Sequence, residues 1–164
     1  DQFKEDMSRK FEMSDLGKLT YYLGIEVIQG ADGIRIKQEG YAQGILVDTK
    51  MDGCNLTHIP METSLKISKA KDEEEINATE YRRAIGCLRY LLHTRPDLAF
   101  AVGVLSRYMQ SPRESHGQAI KHILRYVRGT TNMGLFFKRD GTRRIVGYSD
   151  SSHNIDIDDG RSTS

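Results

Sequence analysis

Asn77-Ala78-Thr79-Glu80-Tyr81-Arg82-Arg83-Ala84-Ile85-Gly86-Cys87-Leu88-Arg89-Tyr90-Leu91-Leu92 is the stretch from which the fold is read. Asn77 followed three residues later by Glu80 has the spacing of a helix N-terminus, where a short polar side chain accepts a free backbone N–H. Tyr81, Ile85, Leu88 and Leu92 then recur at helical spacing and mark one apolar face. Immediately downstream, Pro96 opens a second helix through Leu98, Val102, Leu105 and Met109. Ser111-Pro112-Arg113-Glu114 reads as a third start, with Ser111 as cap and Pro112 at the first helical position. Ala119, Ile123, Tyr126 and Val127 carry that helix to Gly129.

Upstream the period changes. Leu19, Tyr21, Leu23, Ile25 and Val27 alternate with Thr20, Tyr22, Gly24 and Glu26, which predicts one strand over 19–27 with a single buried face. Gly30-Ala31-Asp32-Gly33 turns the chain into a returning strand, Ile34 to Gln38. Phe3, Met7 and Phe11 predict a short amphipathic helix over 1–11, and Tyr41, Ile45 and Leu46 another over 39–50. Residues 51–76, with Pro60 and the acidic run Asp72-Glu73-Glu74-Glu75, have no period and read as a long connector between two loosely coupled halves. A second hairpin, 135–138 and 144–148 around Arg139-Asp140-Gly141, follows the helices, and the tail from Asp150 is polar. The pattern is α+β.

Of the 164 residues 38% are hydrophobic and 29% charged, a foldable rather than a disordered composition. No apolar run is long enough to span a membrane. The charged start, Asp1 to Asp6, is no signal peptide, and the missing initiator Met suggests a piece of something longer. Cys54 and Cys87 read as free thiols in a reducing compartment, so the expected location is intracellular, in the cytoplasm or nucleus, with no membrane partner. Charge is uneven: residues 1–80 carry net −6, residues 81–128 net +7 and the remainder zero. A basic middle can neutralise phosphates, or can simply be a solvated face.

Ten phrases, in unbroken order, resemble the Ty1/copia-type retrotransposon Pol polyprotein. They include Phe11-Glu12-Met13-Ser14-Asp15-Leu16-Gly17, Tyr22-Leu23-Gly24-Ile25-Glu26-Val27, Pro60-Met61-Glu62-Thr63 and Gly86-Cys87-Leu88-Arg89-Tyr90-Leu91. Others are Thr94-Arg95-Pro96-Asp97-Leu98-Ala99-Phe100-Ala101-Val102, Ile123-Leu124-Arg125-Tyr126-Val127-Arg128-Gly129-Thr130 and Gly147-Tyr148-Ser149-Asp150. The resemblance implies the C-terminal part of a reverse transcriptase, after its catalytic Tyr-x-Asp-Asp hairpin, running into the start of RNase H. Residues 1–50 would be the end of the palm, the primer-grip hairpin and the first thumb-like helix. Residues 51–76 would be a connector, 77–130 thumb- and connection-like helices, and 131–164 the first strands of a truncated RNase H domain. The family's Tyr-Ser-Asp normally continues with other residues than Ser151 to Ile155, and Gly117 stands where a Trp is common.

Both activities of such an enzyme use two Mg²⁺ ions held by converging carboxylates. By the resemblance Asp150 would be the first catalytic, metal-binding RNase H carboxylate, with its co-ligands absent from this chain. Asp158-Asp159 lies in a polar tail, not on an aromatic hairpin, and reads as a decoy. Cys54 and His58 have metal-like spacing but no second pair. The chain is thus expected to be catalytically inactive alone and to need no cofactor, while contributing primer–template binding to the remainder of the Pol polyprotein. An RNA–DNA hybrid or DNA duplex would be held by Leu23, Gly24, Ile25 and Glu26 at the primer grip and by Arg82, Arg89, Lys121, Arg125 and Arg128. The last three share a helix face at i, i+4, i+7 spacing. The alternative is a host-repurposed fragment that acts as a protein–protein interaction module.

Overall fold

The computed structural model describes residues 2–141 together with Gly147 and Asp158. Its order is α1 (Gln2–Lys10), β1 (Tyr21–Tyr22), β2 (Ile25–Gln29), β3 (Gly33–Lys37), α2 (Glu39–Asp48), α3 (Ala78–Leu91), a 3₁₀ turn (Pro96–Leu98), α4 (Ala99–Ser106), α5 (Glu114–Gly129) and β4 (Gly134–Lys138). The mixture of helices with an antiparallel four-stranded sheet is α+β, as the two periods predict.

The core is helical. Ile45 and Leu46 of α2, Tyr81, Ile85, Leu88 and Leu91 of α3, Val102 and Leu105 of α4, and Ile123, Leu124 and Val127 of α5 are all buried together. Asn77 caps α3 by accepting the N–H groups of Thr79 at 2.9 Å and Glu80 at 3.2 Å. The Tyr81 hydroxyl donates to Leu105 O at 2.8 Å and so ties α3 to α4; burial pushes its pKa up.

The sheet has the order β1-β2-β3-β4, all antiparallel, and contributes no residue to the buried core. Here the chain departs from the alternation read over 19–27. Tyr22 pairs with Ile25 and Tyr21 with Glu26, so a two-residue turn at Leu23-Gly24 splits the expected strand into a hairpin. Leu23 (φ 47°) and Gly24 (φ 80°) are both left-handed, as a type I′ turn requires, and Gly24 takes that conformation without steric cost. Tyr21 and Ile25 therefore lie on opposite faces rather than one. β4 pairs with β3, Phe137 opposite Ile34 and Phe136 opposite Arg35, so the strand after the helices joins the sheet begun before them. The partner strand expected at 144–148 lies, except for Gly147, outside the described residues.

Two further expectations change. Helix α1 forms but buries none of its residues, and Phe3 and Phe11 stay largely exposed. The third helix begins at Glu114, not Pro112. Residues 74–76 hold 112–114 extended first: Ile76 N–H donates to Pro112 O at 3.1 Å, and Glu114 N–H to Glu74 O at 3.2 Å. Two strand-like bonds outcompete one turn of helix there. His116 then closes the start, its Nδ1 accepting the Arg113 N–H at 2.9 Å. A backbone N–H only donates and a carbonyl only accepts, so His116 must carry its proton on Nε2, which donates to Ser68 O at 2.8 Å.

The segment 51–76 has no regular element, but it is no loose link. It runs antiparallel along α5 and is fastened to it throughout. Arg128 reaches Cys54 O, Arg125 Nε donates to Asn55 O at 2.8 Å, and His122 Nε2 sits 3.0 Å from Ile59 O. Further along, Ser115 N–H donates to the Glu73 carboxylate at 2.8 Å, and that bond, at the positive end of α5, holds the pKa of Glu73 down. Met51, Met61, Ile67 and Ile76 pack the strap onto the core.

Candidate nucleic-acid interface

The Leu23-Gly24 turn is fixed to the helices by one side chain. The Tyr90 hydroxyl of α3 donates to Leu23 O, and a Cβ on Gly24 would lie 3.7 Å from the Tyr90 ring. Tyr41 packs edge-on against Tyr90 with centroids 5.0 Å apart, and its pKa is pushed up to about 12, by burial first and then by Cys87 and Tyr90. Leu23 is 68% exposed, so the turn presents its outer side to solvent. Ile25 and Glu26 are half-buried on β2. Glu26 serves the fold: its Oε1 accepts the Gly40 N–H at 3.0 Å at the start of α2, and Lys37 pairs with both Glu26, at 3.6 Å, and Glu39. Those carboxylates raise the pKa of Lys37, the Glu39 hydrogen bond most, against a smaller opposing effect of burial.

The basic helix faces divide into committed and open cations. Arg125 and Arg128, placed by spacing on one face with Lys121, are half-buried and spend their guanidinium groups on the strap carbonyls of Asn55 and Cys54. Lys121 is exposed at the other end of that face. On α3, Arg82 and Arg89 are exposed and seven residues apart, with Gly86 between them; Arg82 donates to Met109 O at 3.1 Å. Arg83 pairs with Asp48 at 3.0 Å.

Arg95 belongs to neither class. It is 2% exposed. Its Nε and Nη2 grip the two Asp97 oxygens at 3.0 and 2.8 Å, while Nη1 and Nη2 donate to Thr130 O and Oγ1, both at 2.8 Å. The Tyr126 hydroxyl donates to Asp97 at 3.0 Å, and the Arg95 guanidinium lies 5.5 Å from the Tyr126 ring centre. Burial alone would raise the Asp97 pKa; the Arg95 bonds and charge, with Tyr126, outweigh it and hold the carboxyl below the usual range. The Arg-Pro-Asp phrase is thus a clamp on the end of α5. The signal for it was the Asp two residues beyond an Arg, across a Pro that presets the turn.

Among the described residues no group of three or more His, Cys, Asp or Glu side chains is placed to hold a metal, so no metal-dependent step is derived through them. Cys54 contributes its carbonyl to the strap and His58 joins no such group. Asp150 lies outside the described residues. Asp158 accepts the Lys69 N–H at 2.9 Å and the Tyr108 hydroxyl at 3.3 Å, which pins the strap there, and Asp159 lies outside the described residues. A groove of about 500 Å³ lies between the end of α2 and the first turns of α3 and α5, with Lys121 and Gly117 on its wall. A Cβ on Gly117 would come within 2.9 Å of Ile76 Cδ1, so the strap fills the start of the space a larger residue would take. No helix among the described residues is long and apolar enough to cross a membrane.

Residues 1–63 match the family model described as reverse transcriptase (RNA-dependent DNA polymerase). The chain is 39% identical over 159 residues to the retrovirus-related Pol polyprotein from transposon RE1 of Arabidopsis thaliana, which covers 97% of this chain and 11% of the relative. It is 34% identical over 172 residues to the Pol polyprotein from transposon TNT 1-94 of Nicotiana tabacum, covering 99% of this chain and 13% of that protein. Secreted RxLR effector protein 161 of Plasmopara viticola is 49% identical over 85 residues, 51% of this chain and 60% of the effector. No solved structure matches. The chain spans only about a tenth of the length of these Pol relatives, but they match nearly all of it at 34–39% identity, and its curated homologues are Ty1/copia-type retrotransposon Pol polyproteins.

Proposed function

We propose that this chain positions primer–template nucleic acid for a retrotransposon reverse transcriptase whose Mg²⁺-dependent chemistry is supplied by other parts of the polyprotein. The observation that carries the reading is the exposed Leu23-Gly24 turn. It lies within the reverse-transcriptase match and is held at a fixed position on α3 by Tyr90, while the same helix carries exposed Arg82 and Arg89. A rigid hairpin tip tied to the helix that carries the open Arg89 guanidinium suits contact with a sugar–phosphate backbone, which needs position and charge rather than base recognition. In this reading residues 1–50 are the end of the palm with the primer grip and first thumb-like helix, 51–76 the strap, 77–130 thumb-like helices, and 131–164 the start of RNase H with Asp150 as its first carboxylate. Lys121 extends the cationic surface; Arg125 and Arg128 contribute chiefly by fixing the strap. The partners are an RNA–DNA hybrid or DNA duplex and the remainder of the polyprotein.

The test is fluorescence anisotropy of an RNA–DNA hybrid hairpin at low and moderate salt, with the full chain and with Arg89→Glu/Lys121→Glu. These two side chains are exposed, so their reversal leaves the core intact. Binding that weakens and loses about one unit of salt slope per removed phosphate contact supports the reading. Absence of hybrid binding at low salt overturns it.

A second reading is favoured by one observation, the 49% identity over half the chain to a protein named a secreted effector. In it the fragment is a repurposed module that binds another protein, and the Arg89/Lys121 reversal leaves capture of that partner unchanged.

A further inference from the structure

We propose that the outer rows of one sheet face form a stacking platform for single-stranded nucleic acid. This rests on the nucleic-acid reading above but assigns a different surface. Cross-strand register puts Ile28, Arg35 and Phe136 in one row and Gly33 with Lys138 in the next, while Tyr21 stands on the same face beside Glu26. Tyr21 is 63% exposed, Ile28 51% and Phe136 45%, although each is a side chain that burial would favour. No sheet residue belongs to the buried helical core, which leaves these rings free of a packing role there.

The charge of the face selects the occupant. The chain is net acidic over residues 1–80, yet this face offers exposed Arg35 and Lys138. Among the described residues its one carboxylate, Glu26, is spent on the Gly40 N–H and Lys37 in the row nearest α2. Asp32, in the turn between β2 and β3, and Asp140, after the end of β4, lie beyond the outer row. The Arg35 guanidinium lies over the Phe136 ring, 5.4 Å from its centre, a planar cation paired with an aromatic ring, which is the combination a base and its phosphate would meet. Gly33 completes the arrangement: a Cβ there would sit 3.0 Å from Phe136 Cε2, so its absence lets the ring lie over the strand. Three strand spacings separate Tyr21 from Phe136, about 14 Å across the sheet. Aromatic side chains on an antiparallel four-stranded sheet with flanking cations bind unpaired bases, because every base has a ring face and duplex bases are already stacked.

The experiment titrates the full chain against a fluorescent single-stranded oligothymidine and, in parallel, the RNA–DNA hybrid hairpin. Phe136→Ala and Tyr21→Ala should each weaken single-strand binding by about tenfold and leave hybrid binding unchanged. Phe136→Tyr keeps the ring and should restore it, which separates stacking from a fold defect. Arg35→Gln with Lys138→Gln should reduce the salt slope for the single strand. If the wild-type chain binds the hybrid but not the single strand, or if Phe136→Ala and Tyr21→Ala change nothing, this inference fails and the duplex reading stands. If Phe136→Tyr is as weak as Phe136→Ala, stacking is refuted. If neither probe binds, both readings fall.

Discussion

Replacing Arg95 with Met tests whether the Arg-Pro-Asp phrase is architectural rather than a contact for nucleic acid. The substitution keeps the buried stem but removes four hydrogen bonds, two to the Asp97 carboxylate and two to Thr130. Stranding one partner of a buried charged pair costs about 3–5 kcal/mol. The Asp97 side chain is 39% exposed and can rehydrate, which lowers its share, whereas Thr130 is 7% exposed and its carbonyl is left with fewer donors. The expected loss is therefore about 3 kcal/mol. With an m-value of about 2 kcal/mol/M, the urea midpoint should fall by about 1.5 M with little change in slope. Arg95→Lys keeps the charge, but one ammonium cannot serve four acceptors in two directions, so it should recover less than half of the loss. A midpoint for Arg95→Met within about 0.25 M of wild type would refute the clamp. Loss of hybrid binding at unchanged stability would place Arg95 on the nucleic-acid surface instead.

The pH dependence of stability should carry the same clamp. The folded Asp97 pKa is depressed, so its contribution is full above the unfolded value of about 3.9 and is lost as pH falls through the lower folded value. Urea midpoints measured between about pH 5 and 2 should decline less steeply in Arg95→Met than in wild type. Asn77→Ala removes the acceptor for two N–H groups at the start of α3 and should cost about 1 kcal/mol in chemical denaturation. Gly86→Ala adds a methyl with nothing within 4 Å in the interior of α3, and should raise stability by about 0.5–1 kcal/mol, read as a higher melting temperature.

The helical half was legible because its signals are local. Tyr81, Ile85 and Leu88 recur on one face, Asn77 announces the start, and all are found where the period puts them. The Leu23-Gly24 turn was hidden for a physical reason. Alternation of apolar residues runs through it unbroken, and a Leu at positive φ gives no warning of the kind Asn-Gly would. The start of α5 was misread because Ser111-Pro112 is a sound local cap that a distant segment, 74–76, overrides with backbone bonds. The candidate interface was half legible. Composition showed a basic middle, and spacing placed Lys121, Arg125 and Arg128 together. Neither shows which guanidinium groups are already occupied, since the carbonyls of Cys54 and Asn55 that occupy them are some seventy positions away in the chain. The aromatic sheet face needed β4, whose pairing with β3 crosses the whole helical segment.

The strap along α5 has an evolutionary consequence. Arg125 and Arg128 read its main-chain oxygens, and His116 reads that of Ser68, rather than its side chains. Every amino acid supplies a carbonyl, so residues such as Cys54 and Asn55 are exchangeable as long as the path of the backbone is kept. The spacing of the strap is not exchangeable, because one inserted or deleted residue moves every later oxygen out of register with its donor. Selection on this segment should therefore act on its length more than on its letters, and the reverse should hold for the donors on α5, where each letter carries the bond.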